Sequence, residues 1–141
     1  YRGLREPGSL GEYTVLEIEH ILPQSPQKEL RDAFAKANPG ADYDLNKKRL
    51  GNLTLLEKPI NIVAGNDFFA AKKPEYAKCK YYLTSSLQGL TEVGKNSSIT
   101  RINEKLLAFS DWNAVTIEQR QGMLVDLSFE VWRIADGEAM P

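Results

Sequence analysis

Pro23 ends an alternating stretch and so fixes where the first strand of this chain must stop. In Tyr13 to Leu22 (YTVLEIEHIL), Leu16, Ile18, His20 and Leu22 fall on one apolar face, and Val15, Glu17, Glu19 and Ile21 on the other. That period of two predicts a strand. Proline has no N–H to give to a ladder, so the strand is expected to run to Leu22 and end at Pro23. His20 is the only histidine in 141 residues. Alone on an apolar face it would be read as an ordinary core or surface histidine, so its meaning depends on what lies around it.

Downstream, PQKELRDAFAKANPG places Leu30, Phe34 and Ala37 at helical spacing, with Asn38-Pro39-Gly40 as a stop. RLGNLTLL (Arg49 to Leu56) reads as a second short strand, with Gly51 marking a turn or bulge. Pro59 suits the first turn of a following helix. Asn66 is placed to cap a turn through Phe68 and Phe69, and Pro74 to open a helix with Tyr76, Cys79, Tyr82 and Leu83 facing inward. After a loop at Thr91 to Ser98, Ser98 is expected to cap a helix carrying Ile102, Leu106 and Phe109. Thr116-Ile117-Glu118-Gln119 matches a capping box. It would begin a last helix with Ile117, Leu124, Leu127, Val131 and Ile134 on one stripe, ending at Gly137. Tyr81, Tyr82 and Trp132 are expected in the core.

The resulting order is a strand, an insertion, a strand, a helix and then a helical half. It predicts an α+β fold in one domain over residues 13–137, after a linker or arm over 1–12 that contains Pro7, Gly8 and Gly11. The apolar share of 42% can bury a continuous core, and no apolar run reaches the length of a membrane span. A single cysteine, Cys79, rules out an internal disulfide and any cysteine-based zinc knuckle, and fits a reducing compartment such as the cytoplasm. The start, YRGLREPGSLGEY, has neither an initiator Met nor a signal pattern, so the chain is expected to be a piece of a longer protein. A net charge of −1 does not announce a nucleic-acid partner, but its distribution does more. Lys28 to Lys80 holds 11 Lys and Arg against 7 Asp and Glu, and the remainder 7 against 12.

Glu19-His20 at a strand end, Asn52 in the next strand and Asn61 nine residues later resemble the motif of the HNH, or ββα-metal, nucleases. More narrowly, EHILPQ followed by RLGNLTLL, the Asn-rich NIVAGNDFF, a Lys, and the late Trp112, Ile117 and Arg120 resemble the C-terminal nuclease domain of GmrSD-type modification-dependent restriction enzymes, over roughly residues 13 to 134. The resemblance implies a small ββα-metal core, about 13–73, embedded in a mainly helical domain whose helical half covers about 74–137. It implies a DNA endonuclease with His20 as general base, Asn52 as the brace that orients it, and Glu19 and Asn61 on a divalent metal.

Imidazole, with an ordinary pKa of about 6.5, is the side chain best matched to taking a proton from water near neutral pH. A hard cation such as Mg²⁺ or Mn²⁺ accepts one carboxylate and one amide oxygen and keeps waters elsewhere. Lys47, Lys48, Arg49, Lys72 and Lys73 are candidates for phosphate contacts, which position DNA without reading it. Glu19 and His20 are strand neighbours and point to opposite faces, so sharing a site requires the strand to bend, which Pro23 permits. Asn66 competes with Asn61 for the metal, with a helix cap as its plainer role, and Arg120 either pairs with a carboxylate in the helical half or touches DNA. The resemblance also implies an amino-terminal nucleotide-hydrolysing sensor domain in the full-length protein, and a role in phage defence. The alternatives are a non-catalytic nucleic-acid-binding or assembly module with the same fold, and a ribonuclease using the same site.

Overall fold

The computed structural model describes residues 16–89 and 105–132. Strand β1 (Leu16–His20) pairs antiparallel with β2 (Leu53–Glu57), in a register that sets Ile18 opposite Leu55, Glu19 opposite Thr54 and His20 opposite Leu53. Between them come helix α1 (Lys28–Ala37), the short α2 (Tyr43–Asn46) and a 3₁₀ turn at Leu50–Asn52. After β2 follow α3 (Lys58–Ala64), α4 (Phe69–Tyr76), α5 (Tyr82–Ser85), a 3₁₀ turn at Ser86–Gln88, and the long α6 (Ala114–Trp132). The fold is α+β, with the strand–strand–helix unit carried by mainly helical surroundings.

The hairpin has one covered and one open face, and the buried face is the more acidic one. Glu19 is 6% exposed and Leu56 fully buried, whereas Ile18 is 62% exposed and Leu55 across from it 41%. The apolar face of the alternation therefore turns outward. The inversion is possible because α4 brings Lys72 and Tyr76 under the hairpin, where they meet the Glu19 carboxylate. Beyond His20 the alternation lapses: the chain bends, and Ile21, Leu22 and Pro23 are all buried.

The main core joins Ile21, Leu22, Leu30, Phe34, Leu56, Phe69, Tyr76, Trp112 and Ile117, so both halves of the chain share it. Trp112 packs on Phe69 at 5.1 Å and edge-on to Phe109 at 5.3 Å between ring centroids. Helix α6 lies across the 3₁₀ turn so closely that a Cβ on Gly51 would fall 2.0 Å from the carbonyl oxygen of Ile117. Gly51 thus serves a close helix approach.

Several local expectations are corrected. Asn52 lies in the 3₁₀ turn just before β2 rather than in the strand. Pro74 sits inside α4 instead of opening a helix; the helix starts at Phe69, because Phe69, Lys72 and Tyr76 at three- and four-residue spacing form its buried face. Asn66 caps nothing there: the α4 N-cap is Phe68, without a side-chain bond, and Phe68 N–H donates to the Asp67 carboxylate at 2.7 Å. Leu106 and Phe109 are buried but lie in an irregular segment, not a helix. The capping box of α6 is set three residues earlier than Thr116. Asn113 Oδ1 accepts the Val115 and Thr116 N–H groups at 3.0 Å each, while Thr116 Oγ1 accepts Asn113 N–H at 2.8 Å. Trp132 is 74% exposed instead of core. The first residues of the β1 stretch, the loop over 91–98, the Ser98 cap with Ile102, and Ile134 with the Gly137 stop lie outside the described residues.

Candidate active site

His20 is the last residue of β1 and half-buried on the outer side of the hairpin, next to the bend. Burial holds its pKa below the ordinary 6.5. Glu19 opposes that shift, and the positive charges of Lys72 and Lys47 add to it. The ring is consequently neutral at pH 7 and has a nitrogen lone pair available.

The main chain that carries this ring leaves the ladder half-made. Ile21 N–H donates to Asn52 O at 3.0 Å, but Asn52 N–H goes to Arg49 O at 2.9 Å and not back across the hairpin. Side chains complete what the ladder does not. The fully buried amide of Asn52 accepts Leu22 N–H at 2.6 Å and donates to Leu22 O and Lys47 O at 3.0 Å each. Its Oδ1 also accepts the indole N–H of Trp112 at 2.9 Å. A buried amide must find such partners, and this one finds four. From the other side Lys72 Nζ donates to His20 O at 3.0 Å and to Ile21 O at 3.4 Å. Arg120, also fully buried, donates through Nη1 to Gly51 O at 2.8 Å and Leu53 O at 2.7 Å. Its pKa is lowered by burial to about 10. Arg120 therefore braces the start of β2 and does neither of the two things expected of it.

The other expected residues are less gathered. Glu19 projects into the core, where its Oε1 accepts Lys72 Nζ at 2.6 Å and Tyr76 Oη at 2.8 Å. Burial lowers the Lys72 pKa against the pull of Glu19, and raises that of Tyr76 well above 10, with Glu19 adding to the rise. Asn61 lies in the middle of α3, and its Nδ2 donates to Glu17 Oε2 at 2.8 Å, not to Glu19. Lys58 adds a looser ion pair to Glu17 at 3.8 Å. Glu17 belongs to the same strand face as Glu19, two residues back, so period two alone was a signal for it. Asn66 is exposed on the α3–α4 connection.

The donor chemistry tests the expected metal. Glu19 does not fit, because an ammonium and a phenol already hold its Oε1. Glu17 and Asn61 do fit: a half-exposed carboxylate and an amide in mutual contact are hard oxygen donors of the kind Mg²⁺ or Mn²⁺ takes together with water. Among the described residues no three His, Cys, Asp or Glu side chains converge.

Of the five basic candidates, Lys72 is 1% exposed and unavailable to a phosphate. Lys73 Nζ is turned onto Phe109 O at 2.8 Å and lies over the Phe69 ring, and Arg49 pairs with Glu118. Lys47 pairs with Asp44 at 2.6 Å, yet stands near enough to His20 to affect its charge. Lys48 is exposed and has no partner among the described residues.

No curated protein and no solved structure matches the chain. No helix among the described residues is long and apolar enough to cross a membrane. The family of GmrSD restriction endonucleases, C-terminal domain, matches residues 3–127, a stretch that takes in the hairpin, Asn52, Asn61 and most of α6. The match spans most of the 141 residues, and the chain accordingly belongs to the C-terminal domain family of the GmrSD restriction endonucleases, enzymes whose substrate is DNA.

Proposed function

We propose that this domain is the cutting module of a modification-dependent restriction enzyme, hydrolysing phosphodiesters of cytoplasmic DNA in phage defence under the control of an amino-terminal nucleotide-hydrolysing sensor domain. The observation that supports it most is the placement of His20: half-exposed at the strand end, with burial lowering its pKa, and borne on a main chain that Asn52 holds with a fully satisfied amide. His20 takes the proton of the attacking water. Lys47 and Lys48 lie on the segment leading back to Asn52 and hold the DNA backbone near the ring. Asn61 and Glu17, on the other face of β1 from His20, would hold Mg²⁺ or Mn²⁺. Such an ion, when bound, supplies positive charge against the phosphate oxygens and the leaving oxygen.

The test is cleavage of supercoiled plasmid in Mg²⁺ or Mn²⁺ by wild type and His20→Ala, with structured RNA in parallel. A general base contributes about 10²- to 10⁴-fold. Nicking by wild type with a loss of that size in the variant is expected; equal nicking by both would remove His20 from the chemistry. Preferential cutting of RNA would make the domain a ribonuclease with the same site. The engagement of Glu19 by Lys72 favours one other reading, a DNA-binding or assembly module without catalysis, and retained DNA binding with no cleavage by wild type would establish it.

A further inference from the structure

We propose that Lys72 is a positioning residue for His20: its buried ammonium ties the Glu19 carboxylate to the main-chain carbonyls of His20 and Ile21 and so fixes the strand end from which the base projects. The proposal rests on the reading of His20 as the base. Its geometric part stands independently.

An ammonium has three protons, and this one has three acceptors within reach: Glu19 Oε1 at 2.6 Å, His20 O at 3.0 Å and Ile21 O at 3.4 Å. Lys72 and Glu19 are 1% and 6% exposed. Tyr76 Oη donates to the same Glu19 oxygen at 2.8 Å, so the carboxylate cannot swing away without losing two buried donors. A buried ion pair is weak evidence of a stabilising role by itself, since an apolar pair of similar volume often serves the fold as well. What sets this pair apart is its placement. Ile21 O would be the acceptor of the return ladder bond, but the Asn52 N–H that would make that bond is spent on Arg49 O. Lys72 supplies the missing donor on one side of the bend, and the Asn52 amide supplies Leu22 with both of its bonds on the other. Helix α4 is thereby joined to the backbone of the base by a polar contact, where apolar packing alone would leave that strand end free to shift. A displacement of about 1 Å at a reacting group costs up to about a hundredfold in rate.

The test compares wild type, Lys72→Met and Glu19→Gln/Lys72→Met. The double variant removes both charges, so it keeps the question answerable even where Lys72→Met alone does not fold. Five quantities are measured: Tm, kcat and KM for plasmid nicking in Mn²⁺, Mn²⁺ affinity in the absence of DNA, and hydrogen-exchange protection of the Ile21 and Leu22 amides. The double variant is expected to recover most of the Tm lost by Lys72→Met. Its kcat should still be down about tenfold to a hundredfold, with KM within about twofold, Mn²⁺ affinity unchanged, and protection of the two amides reduced relative to the rest of the hairpin. Wild-type kcat and protection in the double variant would make the pair merely structural and overturn the proposal. A kcat loss matched by a loss of Mn²⁺ affinity would assign the effect to Glu19 and overturn it as well. If wild type itself cuts nothing, the nuclease reading fails, and amide protection alone decides whether Lys72 fixes the strand end.

Discussion

At its Pro23 end β1 is held by buried side chains from several elements: Asn52 from the 3₁₀ turn, Lys72 from α4 and, through Asn52, Trp112. Three residues back, Glu17 meets Asn61 and Lys58 among the described residues, in half-exposed contacts of 2.8 and 3.8 Å. The first arrangement fixes a side chain that must be placed accurately before substrate arrives. The second leaves oxygens that can rearrange around an incoming cation, whose own charge would organise them. On the proposed reading, the base would be placed rigidly and the ion loosely, at two points of one strand.

Asn52→Ala is the harshest way to break that comparison. It leaves Leu22 N–H and the Trp112 indole N–H buried without acceptors, and two carbonyls without donors. At roughly 1–3 kcal/mol for each unmet group, and allowing for relaxation, the expected loss is about 3–5 kcal/mol in urea denaturation. A loss under about 1 kcal/mol would show that the bend is held elsewhere.

The two carboxylates of the inner face provide the sharpest contrast. Glu19→Gln strands a buried ammonium and is expected to cost about 3 kcal/mol while leaving Mn²⁺ affinity unchanged. Glu17→Gln, on a half-exposed group, should change stability by less than about 0.5 kcal/mol. It should nonetheless lower Mn²⁺ affinity by at least about tenfold, a loss seen even for groups one step removed from a metal. Calorimetric Mn²⁺ titration of both variants decides between them. The reverse pattern would return the ion to Glu19.

The smallest effect is expected at Lys48. Its removal should leave stability untouched, weaken DNA binding alike for all sequences, and lower the slope of log affinity against log salt by about 1. An unchanged slope would take Lys48 off the DNA path.

Much of the hairpin was legible because period two, Pro23 and the β-ladder rules act locally, and Asn52 was singled out by the motif resemblance, with its buried amide holding Leu22 in the structure. What escaped depends on long-range burial. Which face of β1 goes in depends on Lys72 and Tyr76, more than 50 residues away in sequence. A lysine next to another lysine reads as solvated surface; only the arrival of α4 beneath Glu19 makes Lys72 a core residue. Arg120 is similar, since nothing local to α6 indicates that its guanidinium will bind the carbonyls of Gly51 and Leu53. Glu17 shares the alternation that places Glu19 but lies outside the Glu19-His20 motif. The capping box was misplaced by one turn because Thr116 is a member of the true one, at its third position and not at its start.

With one histidine in the chain, the imidazole resonance in an NMR titration is unambiguous, and it can be set beside the pH dependence of plasmid nicking. Burial together with Lys72 and Lys47 places the ring's titration below 6.5. The ring is expected to titrate with a midpoint on the acid side of 6.5, with the acid limb of the cleavage rate falling at the same pH as the ring takes up its proton. A midpoint above 6.5, or a rate that passes through the ring's titration without change, would contradict His20 as the base.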